Sequence, residues 1–259
     1  MSDVNTSART VCHFSCGAAS AVATKLTLVG NPGAVIYNAF IVEENSDNRR
    51  FLADCEKWFG HPVTVLADTK YGASVREVWK RERFIKSRLG APCSVKLKRE
   101  VIEARCLPTD KHVYGFTWDE RHKERVERFL AVGGLCPLIE RQLTHSDCLA
   151  IIQDAGILLP LRYRQGWNNA NCDGCCKGGE GYWNKVRREQ PDVFLEVSQI
   201  EESLGPGAYL FRNRKTGQRF PLSQLPINSG RHEESAPECS LFCAEVEEEI
   251  CSSPLEACK

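Results

Sequence analysis

Thr10-Val11-Cys12-His13-Phe14-Ser15-Cys16-Gly17-Ala18-Ala19-Ser20 decides the fold. Its first five residues read as a short buried strand, the next six are small, and an apolar helix of small residues follows to about Val29. Gly30-Asn31-Pro32-Gly33 stops that helix, since glycine and proline cannot sustain it. A second strand is expected over residues 34–42. Glu43-Glu44-Asn45-Ser46-Asp47 then caps a helix that runs to Trp58-Phe59-Gly60, and Val63-Thr64-Val65-Leu66-Ala67 is a third strand. Strand, helix, strand, helix, strand within about sixty residues is the rhythm of a parallel sheet with crossover helices. The expected fold class is α/β.

Further along, residues 111–117 read as another strand, and Trp118-Asp119-Glu120 opens a charged helix to about Leu130. Leu135-Cys136-Pro137-Leu138 is a candidate for one more strand. From about Ser146 the pattern changes to a capped helix, then cysteines and shorter elements. The expected division is a nucleotide-binding α/β domain over residues 1–144 and a smaller cysteine-rich, helical or irregular region over 145–259.

The chain of 259 residues is 42% hydrophobic, enough for one large core and a smaller appended unit. No stretch has the eighteen or so apolar residues of a membrane span, and Met1-Ser2-Asp3-Val4-Asn5-Thr6 lacks the features of a signal peptide, so a cytoplasmic protein without membrane contact is expected. Lysine plus arginine balance aspartate plus glutamate at 34 each. The whole-chain charge therefore argues neither for nor against nucleic acid. Basic residues gather within 76–105, either as a solvated helix face or as an anion site.

Fourteen cysteines in such a chain favour metal or redox chemistry over a disulfide framework. Cys12, Cys55, Cys106, Cys136 and Cys148 stand alone in apolar or mixed surroundings, as buried structural thiols do. Cys172, Cys175 and Cys176 instead crowd into Asn171-Cys172-Asp173-Gly174-Cys175-Cys176, with the C-x-x-C spacing of thiolate metal ligands, and Cys239 and Cys243 form a second pair. Cys172, Cys175 or Cys176, Cys239 and Cys243 make a four-thiolate set soft enough for iron–sulfur or zinc. Cys239 has an alternative role as a nucleophilic thiolate.

In an open parallel sheet, ligands bind at the carboxyl ends of the strands, where a small-residue turn into a helix presents unpaired N–H groups to an anion. Ser15, Cys16, Gly17, Ala18, Ala19 and Ser20 form such a turn, with Ser15 and Ser20 adding hydroxyls. No Gly-Lys-Ser/Thr follows, so it is not a Walker loop, and the spaced glycines of a dinucleotide fingerprint are missing. Asp68, just past the third strand, is placed either to meet ribose or metal or to cap a turn.

The loop resembles the S-G-G-x-D-S loop of the adenine nucleotide alpha-hydrolase superfamily, and in particular that of the phosphoadenosine phosphosulfate reductase family. Gly90-Ala91-Pro92-Cys93-Ser94-Val95-Lys96-Leu97-Lys98-Arg99 is similar to that family's cysteine-then-lysine segment. Gly115-Phe116-Thr117-Trp118-Asp119-Glu120 followed by Arg125 is similar to its G-x-R-x-E-x-x-x-x-R segment, and Pro237-Glu238-Cys239-Ser240 to its E-C-G signature. Cys16 and Ala18-Ala19 depart from the loop's second glycine and acidic residue, Thr117 stands where arginine is common, and Ser240 replaces a glycine. The cysteine cluster with Gly178-Gly179-x-Gly181-Tyr182-Trp183 is more like iron–sulfur-bearing relatives among phage and DNA-sulfur-modification proteins.

The resemblance implies an adenine nucleotide, ATP or a sulfonucleotide, held by Ser15 to Ser20 together with Asp68, Lys96, Arg99 and Glu120. It implies Lys96 and Arg125 as charge-neutralising catalytic groups, Cys239 as the reactive thiol, and a 4Fe–4S cluster in preference to zinc. The activity it implies is sulfonucleotide reduction or sulfur transfer. The alternatives are an ATP pyrophosphatase that adenylates a base or carbonyl, and a non-catalytic nucleotide-binding module with structural zinc. A nucleic acid or a sulfur carrier would be the partner for such chemistry, and a homodimer is compatible with it.

Overall fold

The structure, a computed structural model, describes residues 8–87, 90–231 and 234. In chain order it comprises β1 (Thr10–His13), α1 (Ala18–Gly30), β2 (Val35–Ala39), α2 (Asp47–Phe59), β3 (Thr64–Leu66), α3 (Val75–Glu82), β4 (Lys111–Val113), α4 (Glu124–Ala131), α5 (His145–Asp154), α6 (Leu161–Arg164), α7 (Glu180–Glu189) and α8 (Pro191–Leu204). A short antiparallel pair, β5 (Phe211–Arg212) and β6 (Arg219–Phe220), follows. These elements fall into two compact units. The first takes Met1–Phe40, Ser46–Leu66 and Val101–Gly166, and the second Ile41–Asn45, Ala67–Glu100 and Trp167–Lys259. Residue 144 lies inside the first unit, because α5 packs on α1.

The first unit is α/β. Its four strands are all parallel in the order β3-β2-β1-β4, with Cys12 lying between Ile36 of β2 and Val113 of β4. The run of small residues in α1 explains its burial: Ala18, Ala19, Ala21, Val22 and Ala23 let it approach β1, α2 and α5 closely. Phe14, Phe51, Cys55, Phe59, Leu138 and Ile152 complete that core. α2 ends where Gly60 takes a left-handed conformation at φ 66°, which glycine adopts without steric cost.

Two expected elements differ. The strand expected at 135–138 shrinks to one parallel bridge, Leu135 to Val113, because Pro137 lacks an N–H for a ladder and instead opens a single helical turn, Pro137–Glu140. The helix expected from Trp118 onward is interrupted. Thr117 and Glu120 form a capping box that winds Trp118–Glu120 into a 3-10 turn, and α4 starts only at Glu124.

The second unit packs around Trp79 and Trp183, both fully buried, with Val78, Leu97, Val186, Val197 and Leu222. The Glu43 carboxylate accepts hydrogen bonds from Ser74 Oγ (2.6 Å), Val75 N (2.8 Å) and Arg76 N (3.1 Å), satisfying the first turn of α3. Residues 92–103 form a helix that is wound as a π-helix over Val95–Arg99. No helix of the described residues is long and apolar enough to cross a membrane.

Candidate functional site

The chain enters the β1–α1 loop at the position where the strand order reverses. β1 has β2 on one side and β4 on the other, so the strand order reverses at the β1–β4 pair, the usual ligand position in open α/β sheets. Residues 15–20 occupy it. Ser20 organises the turn: its hydroxyl donates to Gly17 O (3.0 Å), accepts from Ser15 N (3.2 Å) and lies 3.1 Å from Ser15 Oγ. α1 has neither a side-chain cap from its N-cap residue, Gly17, nor an acidic residue in its first turn. The N-terminal N–H groups of such a helix, with the positive end of its dipole, favour an anion.

Cys16, not Gly17, carries the unusual backbone. Cys16 has φ 59°, whereas Gly17 is extended at φ −94°. A non-glycine residue in the left-handed region costs about 1–3 kcal/mol and persists only where its surroundings fix it. The fixing group is Asn38, in β2. Its side-chain amide donates to Phe14 O at 2.8 Å and to Cys16 Sγ at 3.5 Å, while Arg49 Nη1 donates to Asn38 Oδ1 at 3.2 Å. Cys16 is thereby held fully buried in the core.

Two further groups border the loop. Gly115, after β4, lies so close to the first turn of α1 that a Cβ there would sit 2.6 Å from Ser20 N and 2.7 Å from Ala19 C. The Tyr163 hydroxyl, on α6, accepts from Ala18 N at 3.4 Å. α6 is pinned from below by Asp47, which accepts from Leu161 N at 2.7 Å and pairs with Arg50 at 2.7 Å. The hydrogen bond from Arg50 holds the Asp47 carboxyl down at about 2, against the opposing effect of burial. The His145 ring lies 5.8 Å from that of Tyr163, and its Nε2 is buried with no hydrogen-bond partner among the described residues. Burial lowers its pKa, opposed by Asp119 and Glu120.

Of the expected nucleotide residues, those of the loop are together in the first unit, which also holds Glu120 and Arg125. These two form an ion pair; Lys123 Nζ is a second cation on Glu120 Oε1 at 3.0 Å, and Arg125 also lies over the Phe116 ring. Burial pushes the Glu120 carboxyl up, but Arg125 and Lys123 outweigh it and the net shift is downward. Asp68, Lys96 and Arg99 belong to the second unit. Asp68 caps a turn, accepting from Tyr71 N at 2.5 Å, one of the two roles left open for it. Lys96 pairs with Glu100 at 2.5 Å along its own helix, and Arg99 is buried.

The cysteines divide as burial dictates. Cys12, Cys55, Cys136 and Cys148 are buried and Cys106 is half-buried; burial pushes the thiols of Cys12 and Cys136 up to about 12 and that of Cys106 to about 11. Such thiols are unreactive at neutral pH. In the second unit Cys172, Cys175 and Cys176 lie on one turn, where Gly174 has φ 70°, the Tyr182 hydroxyl accepts from Cys175 N at 2.8 Å, and Cys175 and Cys176 are buried. Lys86 is near enough to act on the thiols of Cys176 and Cys175; burial lowers its ammonium and those thiols oppose the shift. Soft thiolate donors on a tight turn suit iron–sulfur or zinc. Among the described residues, no three His, Cys, Asp or Glu gather to hold a metal. Cys239 and Cys243, needed for the expected four-thiolate set, lie outside the described residues.

Sequence reading missed Asn38 and Tyr163, and it named the segments of Gly115 and Arg76 without these contacts. A lone asparagine in the apolar strand Val35-Ile36-Tyr37-Asn38-Ala39 was a visible signal, since a buried amide needs partners. Tyr163 carried none: its neighbours in sequence do not predict where α6 docks. No family model matches the chain, and no curated protein matches it.

Proposed function

We propose that the chain binds an adenine nucleotide, ATP or a sulfonucleotide, with its phosphates on the amides of residues 17–20, and acts in sulfonucleotide reduction or sulfur transfer. One observation carries the binding part: helix α1, whose N-cap residue gives no side-chain cap and whose first turn has no acidic residue, begins behind a loop with Cys16 at φ 59° at the strand-order reversal of a parallel sheet. The reaction part rests on the resemblance to the phosphoadenosine phosphosulfate reductase family together with the cysteine turn. In this reading Ser15 and Ser20 add hydroxyl contacts, and Arg125, steadied by Glu120, neutralises oxyanion charge. Cys172 and Cys175, with Cys239 and Cys243, would hold a 4Fe–4S cluster, which would supply a redox-active centre.

Thermal denaturation of the full chain with adenosine, ATP, adenosine phosphosulfate and its 3′-phosphorylated form tests this. A ligand at a hundred times its Kd adds about 2.7 kcal/mol of stability, so the preferred nucleotide raises Tm by several degrees and adenosine raises it little. A preference for ATP over both sulfonucleotides would move the assignment to an ATP pyrophosphatase. Stabilisation by none of the three nucleotides would overturn it.

A further inference from the structure

Cys172-Asp173-Gly174-Cys175 is a four-residue turn with Asp173 and Gly174 at its centre, and Gly174 has φ 70°, the left-handed region that glycine enters without steric cost. A turn of this length brings its first and last Cα atoms within about 7 Å, and a disulfide spans Cα atoms roughly 4.4–6.8 Å apart. The backbone of the turn is held from three directions. Asp173 N donates to Glu43 O at 2.8 Å, Asp173 O accepts from Arg76 Nη2 at 2.7 Å, and Cys175 N donates to the Tyr182 hydroxyl at 2.8 Å. A Cβ on Gly174 would sit 2.8 Å from Val193 Cγ1, which keeps that position to glycine. These contacts fix the two cysteines at the ends of the turn before any bond joins their sulfurs.

The thiols differ in access. Cys172 is half-buried, whereas Cys175 is 8% exposed and Cys176 2%. Burial, then the charge of Cys175, pushes the Tyr182 phenol up, and Cys172 adds to the shift, so both ends of the turn border one hydroxyl. Cys176 belongs to the next turn, which Gly178 N closes on Cys175 O at 3.0 Å. One reachable thiol with a second beneath it, at C-x-x-C spacing, is what thiol–disulfide exchange needs. The attacking sulfur must be reached from outside, and the resolving sulfur must displace the mixed disulfide before another external thiol does.

We propose that Cys172 and Cys175 form a dithiol–disulfide site that exchanges with small-molecule disulfides, with Cys172 as the attacking sulfur and Cys175 as the resolving one. The Cys172 thiolate attacks one sulfur of the small disulfide, forming a mixed disulfide and expelling the first small thiolate. The Cys175 thiolate then displaces the second and closes the Cys172–Cys175 bond. The two protons given up by the cysteines go to the two expelled thiolates; the small disulfide is reduced, the protein dithiol is oxidised, and excess small thiol reverses both steps. The inference rests on neither the nucleotide reading nor the cluster reading. Disulfide and metal are mutually exclusive states of the same two sulfurs.

The test equilibrates the reduced full-length chain with glutathione buffers of graded composition, anaerobically and with a chelator to strip bound metal. Acid quenching, alkylation of the remaining thiols and mass spectrometry with fragmentation then locate each link. The wild type should show a Cys172–Cys175 link that forms as the buffer becomes oxidising and is lost on return to reduced glutathione. Cys175→Ser should accumulate glutathione on Cys172, and Cys172→Ser should leave Cys175 a thiol in the same buffers. Cys172 and Cys175 remaining thiols in every buffer would overturn the proposal, as would a link from Cys172 to Cys93, Cys176, Cys239 or Cys243 in place of Cys175. Glutathione on Cys175 in Cys172→Ser, with none on Cys172 in Cys175→Ser, would overturn the assigned roles. If a serine variant does not fold, as judged by circular dichroism, the mixed disulfide caught in the wild type at short times decides: glutathione on Cys172 supports the proposal and glutathione on Cys175 overturns it.

Discussion

Cys16 holds the conformation that glycine adopts most readily, and the cost is met by burying its thiol and by Asn38 bridging it to Phe14. A second residue under tension is His13, whose Nε2 lies 2.8 Å from His112 Nδ1 while its ring stacks on Tyr114 at 4.4 Å. Burial, with a smaller contribution from His112, pushes its imidazole from 6.5 down to about 3. Between those two values the unfolded chain binds a proton that the folded chain refuses. Stability from this group is therefore present above about 6.5 and falls as pH drops toward 3. Glu201 acts in the opposite direction, because burial raises its carboxyl to about 6 despite hydrogen bonds from Leu222 N and Leu210 N. Comparing urea unfolding of the wild type with that of His13→Gln cancels the Glu201 effect, which both share. The wild type should lose more stability than the variant between about pH 7 and pH 5. Parallel pH profiles would show that His13 does not titrate in this way.

At the scale of elements, the packing of the post-β4 loop on α1 sets how tightly the first turn of α1 is held. Gly115→Ala would drive a Cβ into the backbone of Ala19 and Ser20, which cannot rotate away as a side chain could. We expect about 1–3 kcal/mol of destabilisation in urea unfolding. Gly30→Ala, at the end of the same helix with open space around its Cβ, should instead gain roughly 0.5–1 kcal/mol. Equal effects at the two sites would mean that α1 is free to shift. The elements up to β3 were legible in the sequence because apolar runs, small-residue turns and Gly60 act over a few residues. The interruption after Glu120 and the lost strand at 135–138 were less so, since they turn on a capping box and on one proline competing with an apolar run. The loop itself was legible as a small-residue turn from β1 into α1. What holds it was not, because Asn38, Gly115 and Tyr163 reach it only through the fold.

For the whole molecule, the division into two units is the feature least accessible to sequence reading. Each unit draws on three separate segments, so composition shifts along the chain do not mark it. The first unit carries the 15–20 loop between β1 and α1 of a parallel sheet, and the second carries a cysteine turn whose Asp173 carbonyl accepts from Arg76. The central claim is that the amides of the first turn of α1 bind nucleotide phosphate. Its most direct measurement is the backbone ¹H–¹⁵N spectrum of the labelled chain during titration with ATP, the two sulfonucleotides and adenosine. We predict saturable shifts of the Gly17, Ala18, Ala19 and Ser20 N–H signals with at least one phosphorylated ligand, and far smaller ones with adenosine. Those four signals staying in place at millimolar concentrations of every nucleotide, or moving equally with adenosine, would contradict the account.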